Sequence, residues 1–226
     1  MKSVLQKLGD GIWVADAQRT ILGSHTPIRM TLVDVGGSGF VHSPIPISEE
    51  LRRAVDVLLP VRFIVAPNRW HHLYAGEWVD AYPRAELHGA PGLAAKRPDL
   101  RFHGELGDEP QPAWSGDLEQ LLFSAMPMFN EVVFFHPRSR TLILTDLAFN
   151  FQEADWGFGG LYIRAAGVYR RFGPSRVTRM FFRDRVAARK LMDRILAWPF
   201  ERVVMSHGAV LGTDARNALR GAFSWL

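Results

Sequence analysis

The sequence predicts a layered α/β fold, on three observations. Short apolar runs rich in β-branched residues recur along the 226 residues: Phe63-Ile64-Val65-Ala66, Thr141-Leu142-Ile143-Leu144-Thr145 and Val203-Val204-Met205. Runs this short read as strands buried on both faces. Stretches of helical apolar spacing separate them, the pattern of sheets covered by helices. Polar groups able to bind metal stand at the ends of the runs: His71-His72 after the first, Asp146 after the second and His207 after the third. Side chains at the ends of several buried strands can converge on one point.

The elements follow in order. Ile12-Trp13-Val14-Ala15 and Ile28 to Val35 read as strands, and Gly36-Gly37-Ser38-Gly39 turns the chain into Phe40-Val41-His42. Ser48 before Glu49-Glu50 has the form of a helix cap, and Leu51, Ala54, Val55, Leu58 and Leu59 recur at helical spacing until Pro60. Val61 to Ala66 is an interior strand. A helix is predicted over 72–82, a short strand over 85–88, a short helix over 92–96, a surface loop over 104–116 and a strand over 118–123. Glu131 to His136 and Thr141 to Thr145 form a hairpin with Pro137 at the corner. His136, beside the turn, is expected at the surface. Residues 149–174 show no firm period. Asp184 caps a helix that ends at Pro199, Val203 to Met205 is the last strand, and a closing helix covers 213–222.

Composition narrows the class. With no linker-like stretch and 47 % hydrophobic residues, a single domain over 1–226 is expected. The absence of cysteine leaves only His, Asp and Glu as ligands for any metal. No run of about 18 apolar residues suggests a membrane span. The first residues lack the apolar core of a signal peptide, so a cytoplasmic location without membrane partners is expected. Net charge is +4, and no motif suggests nucleic acid. Arginines are concentrated between 164 and 194, as a solvated face or as a contact for something anionic.

In order and spacing, the chain resembles the metallo-β-lactamase superfamily over about residues 25–215. The residues that carry the likeness are Ile64 to His72 after a buried strand, Leu142-Ile143-Leu144-Thr145-Asp146 at a strand end, and the turn Ser206-His207-Gly208. More narrowly, His42-Ser43-Pro44-Ile45-Pro46, Ala66 to His72 and Leu144 to Asn150 resemble the DUF4336 group, a divergent branch. The resemblance implies an αββα sandwich: two packed mixed β-sheets flanked by helices. It also implies that one of the superfamily's two metal positions is lost. Pro67, Arg69 and the region of Met126-Pro127 stand where its ligands would be. The other position would be held by His71, His72, Asp146 and His207.

Such a set suits one divalent transition metal ion, zinc or iron, with manganese as a further candidate. The implied activity is hydrolysis, a metal-bound hydroxide attacking an ester, lactone, amide or phosphoester. Four protein ligands would close a tetrahedral zinc site, a conflict with catalysis that the sequence leaves standing. Asn68 and Arg69 are expected to steady the substrate oxygen in place of a second metal. Trp70, Trp78, Phe129, Phe149, Phe151, Trp156, Phe158 and Tyr162 supply either core or an apolar pocket for a small, acyl or anionic substrate. The alternatives are a degenerate scaffold that binds a ligand or partner without catalysis, and an iron-dependent oxidoreductase.

Overall fold

The structure is a computed structural model that describes residues 4–21, 24–153 and 158–226. Two sheets pack face to face. The first runs in chain order: β1 (Gln6–Gly9), β2 (Ile12–Ile21), β3 (Ser24–Val35), β4 (Ser38–His42), β5 (Val61–Ala66), β6 (Glu86–Gly89) and β7 (Gly104–Glu105). The hairpins β1 to β4 are antiparallel, and β4 to β7 are parallel. The second sheet has the order β11-β10-β9-β8, from β8 (Glu119–Phe123), β9 (Glu131–His136), β10 (Thr141–Leu144) and β11 (Arg202–Met205). Its β10 and β11 are parallel, so both sheets are mixed.

Strand alternation builds the layers. Phe63 and Val65 of β5 face inward and pack with Phe40, Trp114, Phe134 and Ile143 between the sheets. Ile64, between them in sequence, faces outward against Leu51, Val55 and Trp78. These belong to α1 (Glu49–Leu58) and α2 (Ala75–Ala81), which cover the first sheet. Met192 and Ile195 of α6 (Arg185–Ala197) and Leu219 of α7 (Ala215–Ala222) cover the other sheet. The αββα sandwich is therefore the observed architecture. The short helices α3 (Leu93–Lys96), α4 (Phe158–Ala165) and α5 (Arg176–Arg179) lie in the connections.

Several expectations need correction. The helix predicted over 72–82 begins only at Ala75, because residues 71–74 form a turn. The loop over 104–116 begins with the two residues of β7. His136 is fully buried, with Nδ1 2.7 Å from Ser139 Oγ, and burial lowers its pKa to about 4. The aperiodic stretch contains α4. Trp156 lies outside the described residues.

Candidate metal centre

Segments leaving β4, β5, β10 and β11 meet at one end of the sandwich, the carboxyl ends of these strands. Leu144 of β10 is in register with Met205 of β11, so Asp146 and His207 leave their sheet at nearly the same level. His71 arrives from the other sheet, after β5.

Asn68 shapes that first loop. Its Oδ1 accepts the backbone N–H groups of Trp70 and His71, both at 2.8 Å. This Asx turn keeps residue 71 out of a helix. The same side chain donates through Nδ2 to Thr145 Oγ1 and Asp146 Oδ2, again at 2.8 Å. Asn68 is buried and all its amide hydrogens are engaged. It therefore positions the acid and the loop and has no hydrogen left to offer a substrate. Arg69 is half-buried and does not line the cavity described below. Its carbonyl accepts from Lys96 Nζ at 2.6 Å.

Asp146 stands on a buried acid. Glu131 Oε1 and Oε2 accept the N–H groups of Thr145 and Asp146 at 2.7 and 2.8 Å. Burial, then the charge of Asp146, pushes the Glu131 pKa up to about 7. Burial alone would raise Asp146 too. The charge of His71 and the hydrogen bonds from both imidazoles outweigh it and hold Asp146 well below the usual carboxylate range.

The two imidazoles are aimed by their second nitrogens. His207 Nδ1 donates to the Pro27 carbonyl at 2.8 Å, so Nε2 of the neutral ring carries the lone pair. His71 Nδ1 is 2.7 Å from Ser43 Oγ, which accepts from Ser206 Oγ at 3.1 Å. Ser43 adopts a left-handed φ of 56°, a conformation that non-glycine residues seldom take away from functional sites. The two Nε2 atoms lie 3.2 Å apart. His71 Nε2 is 3.3 Å from Asp146 Oδ2, and His207 Nε2 is 3.4 Å from Oδ1. Burial would lower the pKa of His207, but the hydrogen bond and charge of Asp146 overcome it and raise the value.

The structure thus brings three of the four expected ligands together. Among the described residues, His71, Asp146 and His207 form the one group of three or more such side chains whose donor atoms all lie within 4.8 Å of one another. His72 is outside it. Its Nδ1 faces Arg97 Nη1 at 3.0 Å, and burial, then the charges of Lys96 and Arg97, lower its pKa to about 4. His42 is also outside, a buried ring edge-on to Phe134 at 5.6 Å, its pKa lowered to about 3 by burial and then by His71.

The donor chemistry fits a divalent ion. Tetrahedral zinc with bonds of about 2.1 Å has ligand-to-ligand edges of about 3.4 Å. The two Nε2 atoms, 3.2 Å apart, are close to that spacing, and their 3.3 and 3.4 Å contacts to Asp146 are made with different carboxylate oxygens. Two neutral imidazoles and a carboxylate facing one point suit a shared cation, a metal ion or a proton.

Sequence reading missed several supporting residues. Ser43 and Ser206 adjoin residues that were singled out. Glu131 carried a usable signal, a lone acid opening a strand that is otherwise fully apolar up to His136. Arg29 gave none. Its guanidinium donates to Gly208 O at 2.5 Å and Met205 O at 3.3 Å, anchoring the His207 turn. Gly208 has φ 99°, and a Cβ there would strike the Asn150 carbonyl.

The three side chains line a cavity of about 690 Å³. Its walls are mainly apolar, among them Ile28, Phe129, Phe149, Phe151, Ile163 and Val168. Phe149 stacks on His207 at 5.7 Å. Lys96 lines it as well, its ammonium 4.6 Å from the centre of the Trp70 ring.

Residues 9–155 match the family model described as Domain of unknown function (DUF4336). The chain belongs to the DUF4336 family. Comparison with curated proteins gives no match. Among solved structures, a metallo-β-lactamase from Erythrobacter litoralis aligns at TM-score 0.69 and 13 % identity, over 100 % of this chain and 98 % of that one. One from Pontibacter korlensis aligns at 0.67 and 14 %, over 97 % and 98 %. The flavodiiron core of Flv1 from Synechocystis aligns at 0.66 and 13 %, over 98 % of this chain and 60 % of that one. This DUF4336 chain thus has the metallo-β-lactamase fold. Among its described residues, no helix is long and apolar enough to cross a membrane.

Proposed function

We propose that the protein is a hydrolase with one divalent metal ion, held by His71, Asp146 and His207. The observation that carries this reading is the convergence of those three side chains at an apolar cavity. Three protein donors, unlike four, leave a tetrahedral ion one position for water, the usual composition of catalytic rather than structural zinc. A bound ion would supply Lewis acidity and an acidified water for attack on an ester, lactone, amide or phosphoester. The protein's own groups do the rest. Asn68 and Glu131 fix the acid, Ser43 and Pro27 aim the imidazoles, and the aromatic walls exclude solvent from an acyl or aromatic substrate. Lys96, rather than Arg69, presents a positive charge to the cavity and suits an anionic substituent.

A degenerate binding protein is the second reading, favoured by one observation. Asp146 raises the pKa of His207, so a proton can satisfy the cluster where an ion would otherwise sit. Elemental analysis of protein purified without added metal separates the two. The hydrolase reading expects about one zinc, iron or manganese per chain. It also expects turnover of chromogenic esters or phosphoesters that disappears with the metal in His207→Ala. Metal-free protein that stays metal-free on reconstitution would rule the hydrolase out.

A further inference from the structure

The rim of the cavity is unusual for a protein surface. Of the eleven large apolar residues exposed among the described residues, five line this one cavity: Trp70, Leu73, Phe158, Tyr162 and Val177. Two more stand on the same elements or beside them without lining it. Leu161, on α4, is 53 % exposed, and Met180, directly after α5, is 82 % exposed. The two short helices are joined, since Arg176 N donates to Ala166 O at 2.9 Å. Large apolar groups concentrated in this way mark a surface that meets something apolar.

The segment that carries α4 and α5 has charge of one sign. From residue 158 to 183 the sequence contains no Asp or Glu, but it contains Arg164, Arg170, Arg171, Arg176, Arg179 and Arg183. Arg170, Arg171, Arg176 and Arg183 are exposed. None of these four makes an ion pair with a described acid. Lys96 adds its charge beside Trp70.

We propose that this face docks on the surface of an anionic lipid bilayer, with α4 and the residues after α5 against the interface and the cavity mouth turned toward the lipid. Short amphipathic elements with aromatic and aliphatic tips and a basic surround bind membranes in the interfacial plane, by apolar burial plus attraction to anionic headgroups. Such contact needs no spanning helix, so it revises the expectation of no membrane partner. A protein partner would meet the apolar tips equally well. The acid-free run of arginines and the apolar cavity opening between those tips favour lipid. The proposal goes beyond the hydrolase reading and does not depend on it, because docking requires neither metal nor turnover.

Co-sedimentation of the full chain with vesicles tests it. One set is pure phosphatidylcholine; the other contains about a third phosphatidylglycerol. Binding to the anionic vesicles is expected, weakened by salt, with little binding to the neutral ones. Arg171→Glu with Arg183→Glu, and separately Leu161→Ser with Met180→Ser, should each lower partitioning about tenfold without changing the melting temperature. These side chains lie outside the metal cluster and do not line the cavity, and two independent pairs guard against misfolding of either. Absence of binding to anionic vesicles at low salt, equal binding to neutral ones, or binding untouched by both pairs would overturn the proposal. Self-association that Leu161→Ser with Met180→Ser abolishes, in a chain that ignores vesicles, would assign the face to a second copy instead.

Discussion

His71 and His72 are neighbours in the chain with opposite surroundings. His71 has a hydroxyl behind it and a carboxylate in front. His72 has a guanidinium against Nδ1 and a second cation, Lys96, close enough to lower its pKa. Arginine can only donate, so Nδ1 of His72 is already used as an acceptor, in a field that repels any cation. On the proposed site, residue type alone does not make a ligand. What counts is the charge its neighbours impose on the point it faces.

The most direct way to break this contrast is to remove each ring. His71→Ala or Asp146→Ala should reduce bound metal to less than about a tenth of an equivalent, whereas His72→Ala should keep it, as measured by elemental analysis. Retention by all three variants would dissolve the distinction. Removing the positioning groups is expected to act more mildly. Asn68→Ala or Ser43→Ala should weaken metal affinity about 10- to 100-fold, read by competition with a chelating dye. Asn68→Ala should also cost about 1–3 kcal/mol of stability, because it leaves buried partners unsatisfied.

Titration sharpens the contrast further. Arg97→Met should let the pKa of His72 rise from about 4, followed by NMR; burial and Lys96 still hold it down. A separate pH effect belongs to a histidine far along the same hairpin from Asp146. His136 has a folded pKa of about 4 against about 6.5 unfolded. Between those values the unfolded chain binds the proton and the folded chain does not. Its contribution is therefore full above about pH 6.5 and falls as pH drops toward 4, at no more than about 1.4 kcal/mol per pH unit. His136→Gln should flatten that slope in thermal melts. His207 runs the other way in metal-free protein. Its raised pKa contributes stability that is full below about pH 6.5 and is lost as pH climbs through the folded value.

These contrasts also separate what was readable in the sequence from what was not. Apolar runs ending in Ala66, Thr145 and Met205 revealed the strands, and their ends marked where Asp146 and His207 stand. The choice between two adjacent histidines was not readable. It depends on the turn made by Asn68 and on Arg97, 25 residues away in sequence. Strand β1 escaped notice because Gln6-Lys7-Leu8-Gly9 is an edge strand with little apolar content. Helix α4 escaped because Phe158-Gly159-Gly160 disguises a helical start.

The cluster straddles a seam. One imidazole departs from the seven-stranded sheet, whereas the acid and the other imidazole depart from the four-stranded one. Any ion gripped there acts as a rivet between the two halves of the sandwich. Loading should therefore raise the melting temperature in step with ion concentration, and a chelator should loosen the whole molecule rather than one loop.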